Sequence, residues 1–201
     1  MQNYHYYSEN EENLKSEPTY YDFKYKDHVY KFKTDNGVFS KKFIDFGSYT
    51  MLNYFTPNTI SGPLLDVGCG YGPIGIIISS LFNLNVDMID VNERALGLAR
   101  ENVVLNGVQN VNVFKSNVYS NVPLEAKYAS IVTNPPIRAG KKVIYDIYDG
   151  AYDRLIPGGE LWVVIQKKQG APSTKDHLET LFGNCSVVGK ESGYFILKSV
   201  R

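Results

Sequence analysis

The sequence predicts an α/β fold: a mostly parallel β-sheet with helices on both faces and an antiparallel hairpin at its C-terminal edge. Three observations carry this. Apolar runs of strand length at residues 64–67, 85–89, 111–114, 128–133 and 161–165 alternate with helical patterns, the order that builds a sheet buried on both sides. Residues 63–75, P-L-L-D-V-G-C-G-Y-G-P-I-G, set a glycine turn between a strand and a helix, and glycines at alternate positions let a ligand lie against bare backbone. The last two apolar runs, 186–188 and 194–200, are separated only by residues 189–193, a connection of hairpin length.

The chain has 201 residues, 43% of them hydrophobic. That is enough for one domain with an N-terminal extension, divided here into an arm, 1–62, and a main domain, 63–201. No apolar run approaches the ~20 residues needed to span a bilayer. The polar, tyrosine-rich N-terminus does not read as a secretory signal, and a cytoplasmic location is expected. Two cysteines, Cys69 and Cys185, and three scattered histidines give no disulfide framework and no metal cluster. The formal net charge of +0 argues against a general nucleic-acid binder but leaves room for one local basic patch.

Within the arm, residues 1–18 read as loose or weakly docked. Residues 20–33 alternate aromatic and polar side chains around Asp27-His28, which predicts a hairpin. A short helix near 48–53, capped by Ser48, follows. The arm is expected to cover one edge of the main sheet, or to close the site with the loop 37–41, where Phe39 and Lys41 stand beside the apolar Val38.

In the main domain, helices are expected at 74–81 after Pro73, at 93–106 before Gly107, at 141–155 and at 175–182. Pro157-Gly158-Gly159 reads as the turn after the third of these. Ligands of such folds sit beyond the carboxyl ends of the strands, where this chain places Asp66 to Gly72, Asp90 with Asn92, Asn117, and Asn134-Pro135-Pro136. The glycine loop is not a P-loop, and its spacing fits the dinucleotide fingerprint poorly. An acid inside it is unwelcome to a pyrophosphate. It suits a ligand with an ammonium group, which Asp66 could accept from directly or by holding the loop. With Asp90 placed for ribose hydroxyls and Asn117 for an adenine edge, the set describes an S-adenosylmethionine pocket better than an NAD pocket.

Two successive prolines make Asn134-Pro135-Pro136 a rigid turn. The Asn134 amide and the Pro135 carbonyl can each accept a hydrogen bond from an amino group on an aromatic ring. Such a nitrogen is a poor nucleophile, and alignment supplies much of the rate. Ile137 gives an apolar contact beside the turn, and Phe39 or a tyrosine could add the ring. Arg138, Lys141 and Lys142, with Lys167 and Lys168, offer phosphate contacts to a polynucleotide. Residues 166–173 form a loop that could shape the entrance.

The segments T-D-N-G-V-F-S, I-D-F-G-S, L-L-D-V-G-C-G-Y-G-P-I-G, D-V-N-E-R-A-L, T-N-P-P-I-R-A-G-K and G-G-E-L-W-V-V-I-Q-K-K-Q-G-A-P-S, with the terminal G-Y-F-I-L-K-S, resemble the class I methyltransferases of the small-domain type. More narrowly, they are similar to the bacterial ribosomal RNA guanine-N2 methyltransferases. The resemblance implies a Rossmann-like class I methyltransferase fold with a seven-stranded sheet, S-adenosylmethionine as cofactor, and ribosomal RNA or a ribosomal subunit as partner. It implies cofactor contacts from Asp66, Gly68, Cys69, Gly70, Gly72, Asp90, Val91, Asn117 and Asn134. It assigns the catalytic turn to Asn134, Pro135 and Pro136, and substrate contacts to Phe39, Lys41, Ile137, Arg138, Lys141 and Lys142. Asn117 departs from the aspartate common in that family. Its two-domain members carry a second, degenerate copy that 201 residues are too few to hold, which leaves monomer and homodimer both open. Amino methyl transfer to protein glutamine or adenine N6, and a catalytically silent RNA-binding module, are the alternatives.

Overall fold

The computed structural model describes residues 15–36 and 43–201. The proposed lid loop with Phe39 and Lys41 lies outside them, as does most of the segment expected to be loose. Two strands, β1 (Thr19–Tyr25) and β2 (His28–Thr34), pair antiparallel in the arm. The helix α1 (Phe46–Tyr54) follows. The main domain then runs β3 (Leu64–Val67), α2 (Pro73–Phe82), β4 (Val86–Asp90), α3 (Glu93–Leu105), β5 (Val111–Lys115), β6 (Tyr128–Thr133), α4 (Lys141–Arg154), β7 (Leu155–Gln166), α5 (Ala171–Phe182), β8 (Ser186–Glu191) and β9 (Tyr194–Val200).

The seven strands β3 to β9 form one sheet in the order β5-β4-β3-β6-β7-β9-β8. β3 to β7 are mutually parallel, and β9 runs antiparallel to both β7 and β8. Successive side chains on a strand face opposite sides. Leu64, Trp162 and Val164 therefore pack in one apolar cluster with α2, α3 and the arm, while Leu65, Leu161, Val163 and Ile165 pack in another with α4 and α5. The sheet grows from β3 outward to β5 and then returns to the other side of β3 with β6. That reversal opens a crevice at the carboxyl ends of β3, β4 and β6, where open α/β sheets hold their ligands.

The arm covers the sheet differently from the expected edge. Its hairpin pairs with no strand of the large sheet among the described residues. The hairpin lies on α3, and α1 lies near β7, β9 and α2. Asn102 of α3 and Asn106, the residue that caps its C-terminal end, complete the outer side of β2. Asn102 accepts from Lys33 N–H (2.7 Å) and donates to Lys33 C=O (3.0 Å), and Asn106 does the same for Lys31 at 2.9 and 2.8 Å. The Asn102 Nδ2 also donates to Tyr71 C=O at 2.9 Å, which ties this junction to the glycine loop. Arg94 of α3 pairs with Asp35 at 2.9 Å. Burial alone would raise the Asp35 carboxyl, but Arg94, the Ser16 hydroxyl and the N–H groups of Glu17 and Asn36 bring it down to about 2.

Several boundaries differ from the sequence reading. The cap of α1 is Asp45, not Ser48, since the Asp45 carboxylate accepts from Ser48 N–H at 3.0 Å. Pro157-Gly158-Gly159 is not a turn outside the sheet. It lies inside β7 as an irregularity, where Leu155 pairs with Tyr128 but Glu160 pairs with Ser130. Gly158 N–H reaches Arg201 C=O at 2.8 Å and Arg201 N–H reaches Gly159 C=O at 2.9 Å, so the chain end satisfies the backbone that the bulge frees. α5 begins at Ala171, four residues early, with Pro172 in its first turn. β8 extends to Glu191.

Candidate active site

The crevice is a cavity of about 280 Å³ lined by the ends of β3, β4 and β6, with Asp45 and Ser48 of the arm, Gln169, and Tyr194 of β9. A second hollow, about 310 Å³, lies against residues 57–64, 83–85, 129 and 130 and has no titratable lining group. The crevice is the one of these two that gathers the acids and the amide expected of a site.

At one end the glycine loop leaves β3. Gly68, Gly70 and Gly72 have φ of 75°, 58° and 95°, values that favour glycine. A Cβ at Gly68 or Gly70 would meet no protein atom within 4 Å, so the loop presents bare backbone to open space. Gly68 and Cys69 N–H both donate to Ile89 C=O, at 2.9 and 3.0 Å. Gly70 N–H donates to Asp90 Oδ2 at 2.9 Å, and Asn92 N–H to Asp90 Oδ1 at 2.9 Å. Asp66 Oδ2 accepts from Gly75 N–H at 3.0 Å, at the start of α2. Its other oxygen has no hydrogen-bond partner among the described residues.

Asp66 is buried, with 1% of its surface exposed, and Asp90 is half-buried in the cavity wall. Burial, opposed by the Gly75 N–H and assisted by the charge of Asp90, pushes the Asp66 carboxyl up to about 7. Burial raises Asp90 as well, against the pull of the Asn92 and Gly70 N–H groups. It raises the Cys69 thiol far more, so Cys69 is a small apolar wall and not a nucleophile. Two carboxyls raised by desolvation, Asp66 further by the charge of Asp90, make an end of the cavity that a cationic ligand would relieve.

At the other end, Asn134, Pro135 and Pro136 follow β6, with Ile137 and Arg138 after them, and all five line the cavity. Asn134 Nδ2 donates to Asp45 Oδ1 at 2.9 Å and to Ser48 Oγ at 3.2 Å. Tyr194 supplies an aromatic ring at this end, 5.5 Å from the ring of Phe46.

Most of the expected site residues thus meet in one place: Asp66, Gly68, Cys69, Gly70, Asp90, Asn134, Pro135, Pro136, Ile137 and Arg138. Gly72 and Val91 sit next in the chain to lining residues without lining the cavity themselves. Asn117 is not brought in: it is exposed past the edge strand β5, and its N–H donates to Ser120 Oγ at 3.1 Å. Lys141 and Lys142 stand exposed outside the cavity, Lys141 over the Tyr145 ring at 4.9 Å and Lys142 paired with Asp146 at 2.6 Å. The sequence reading missed Asp45, Ser48 and Tyr194 as cavity residues. An acid three positions before a serine, ahead of an apolar helix, was the available signal for the first two. Among the described residues no group of three histidines, cysteines or acids could hold a metal, and no helix is long and apolar enough to cross a membrane.

The sequence profile of the methyltransferase small domain family matches residues 29–198. The chain is 49% identical over 198 residues to the uncharacterized protein YbxB of Bacillus subtilis, covering 98% of both chains. It is 30% identical over 186 residues to ribosomal RNA small subunit methyltransferase C of Aliivibrio salmonicida, covering 90% of this chain and 52% of that one. Among solved structures it superposes on the Thermus thermophilus 16S rRNA N2 G1207 methyltransferase, determined with AdoMet and guanosine, with a TM-score of 0.82 and 23% identity, over 92% of this chain and 50% of that one. The chain spans about half the length of these two ribosomal RNA methyltransferases and nearly all of the Bacillus protein. With a sheet of this order, a cavity at its reversal point and a profile match across most of its length, the chain belongs to the methyltransferase small domain family.

Proposed function

We propose that the protein transfers a methyl group from S-adenosylmethionine to the exocyclic N2 amino group of a guanine in ribosomal RNA, in the cytoplasm. The observation that carries this reading is the polarity of the cavity: two acids, Asp66 buried and Asp90 half-buried, beside bare backbone at one end, and hydrogen-bond acceptors at the other.

The residues fit the cofactor. The free oxygen of Asp66 suits its ammonium group. Asp90 already accepts two backbone N–H groups, yet a carboxylate has about four acceptor positions, which leaves room for ribose hydroxyls. Gly68 and Gly70 offer the open backbone against which it would lie. Asn117, Gly72 and Val91 were assigned to the cofactor but do not line the cavity. When bound, S-adenosylmethionine supplies an electrophilic methyl group on a sulfonium.

The chain's part is then to orient the acceptor. Asn134 Oδ1 and the Pro135 carbonyl accept the two hydrogens of the guanine amino group and hold its lone pair toward the methyl carbon. Methylation would leave the amino nitrogen with one surplus proton, which water would take up, so the two acceptors need only orient the group and not act as bases. The base has to be unpaired or flipped from its stack to arrive there. Arg138, Lys141, Lys142, Lys167 and Lys168 would meet phosphates outside the cavity. The Lys142–Asp146 pair is exposed, and such pairs are worth about 0–1 kcal/mol, so Lys142 can exchange its partner for a phosphate. The same acceptor pair would also serve a glutamine amide or adenine N6.

The test is to incubate the protein with labelled S-adenosylmethionine and, separately, naked ribosomal RNA, small subunits and large subunits from a strain lacking it, then to map the label. Label on N2 of one guanine is expected. Label on adenine or on a ribosomal protein, or none in any fraction, overturns the reading.

A further inference from the structure

We propose that Asp45 and Ser48 are positioning residues for Asn134, fixing its amide with the nitrogen held by the arm so that a ligand meets only an acceptor. This rests on the methyl-acceptor reading above and names the residues that set its polarity. A side-chain amide can sit either way round. One orientation offers an acceptor, the other a donor, and the wrong one would repel the amino group that the site has to align.

The donors and acceptors here leave one solution. An ionised carboxylate has no proton, so the atom of Asn134 at 2.9 Å from Asp45 Oδ1 is the nitrogen. The Ser48 hydroxyl has one proton and directs it to Asp45 Oδ2 at 2.5 Å. It can therefore only accept at 3.2 Å from Asn134 Nδ2. The Nδ2 group is thus turned toward Asp45, the N-cap of α1, and Ser48 in its first turn. Asn134 Oδ1 has no partner among the described residues, and neither has the Pro135 carbonyl. Pro135 and Pro136 have no N–H, so the backbone at these two positions adds no donor to that end of the cavity.

Position 47 supports the arrangement. A Cβ on Gly47 would lie 3.0 Å from Asp45 Oδ1, 3.0 Å from Tyr194 Cε1 and 3.2 Å from Asn134 Nδ2. The helix start is bare where the carboxylate, the amide and the ring converge. Asp45 also caps α1 through Ser48 N–H at 3.0 Å, so the residue that holds the helix is the one that orients the amide.

Asp45→Asn separates the two roles, because asparagine caps a helix about as well as aspartate but can present either end of its own amide to Asn134. The expected result is a single-turnover methylation rate about 10-fold lower, with cofactor affinity and melting temperature unchanged, since the acceptor is misaligned in part of the population. In an Asn134→Ala background the same change should add nothing. An additional 10-fold loss there, or no loss in the wild-type background, overturns the proposal. Ser48→Ala, which leaves the capping carboxylate in place, carries the same cycle should Asp45→Asn fold poorly. The Asn134 side-chain NH₂ resonances, identified by their loss in Asn134→Ala, give a substrate-free readout. Slow hydrogen exchange in the wild type that accelerates in Asp45→Asn supports the lock even if no ribosomal RNA is methylated. Fast exchange in the wild type refutes it even if guanine N2 is the product.

Discussion

The two ends of the cavity are built by different means. At the glycine-loop end, backbone N–H groups bond to the Asp66 and Asp90 carboxyls and to Ile89 C=O, and these partners all lie between residues 66 and 92. At the Asn-Pro-Pro end, a side-chain amide is held by residues 89 and 86 positions away in sequence. The first end is a local strand–turn–helix unit, rigid once it forms. The second exists only where the arm has docked. A binding frame and an aligning device thus share one crevice but depend on different parts of the chain.

Removing the aligning device should have the largest effect. Asn134→Ala is expected to lower turnover about 100-fold, while cofactor affinity by calorimetric titration stays within a factor of two or so. Unchanged turnover would erase the distinction between the ends. Next, Asp90→Ala should weaken cofactor binding by roughly 10- to 100-fold, the worth of a hydrogen bond to a charged group. It should also lower the melting temperature, because Gly70 and Asn92 N–H lose their acceptor. Equal affinity would place the binding frame elsewhere.

The binding end should also answer to pH. Asp66 is raised to about 7 in the free protein, above its unfolded value of ~3.9. A group raised in this way favours folding most below pH ~3.9, and that contribution is lost as pH climbs through about 7. A cationic ligand favours the carboxylate. Between pH 5 and 7.5 the free protein should therefore melt progressively lower while S-adenosylmethionine binds progressively tighter. Parallel melting and titration series check this, and a flat affinity profile would remove the ammonium contact from Asp66. The smallest effect is expected at Arg138, which lines the cavity just after the Asn-Pro-Pro turn. Arg138→Glu should weaken RNA binding several-fold at low salt and reduce the salt slope by ~1–2, whereas cofactor binding is untouched. Equal affinities in filter binding would remove Arg138 from the RNA surface.

The binding end was legible in the sequence because it is written within thirty residues. Apolar runs marked β3 and β4, the glycines marked the turn, and the acids at the strand ends marked the ligand's charge. The Asn-Pro-Pro turn was equally plain. What held Asn134 was not, since the cap read at Ser48 lies at Asp45 and its reach to residue 134 is a tertiary fact. Asn117 falls outside the cavity for a related reason. Strand ends were treated as converging, but β5 is an edge strand, and its exit is exposed beyond the reversal point. Pro157-Gly158-Gly159 has the composition of a turn. Only the chain end, bonding back to Gly158 and Gly159, makes it part of a strand.

The asparagine pair at the end of α3 bears on how the molecule comes together. A two-stranded hairpin is marginal in water by itself, and the exposed rim of β2 would be a template for another chain. Asn102 and Asn106 stand in for the missing neighbour, so Lys31 and Lys33 find their backbone partners only after α3 exists. Without α3 in place, the outer backbone groups of Lys31 and Lys33 lack these partners and the hairpin keeps an open strand rim. Two amides at the end of one helix convert that rim from a point of aggregation into a closure.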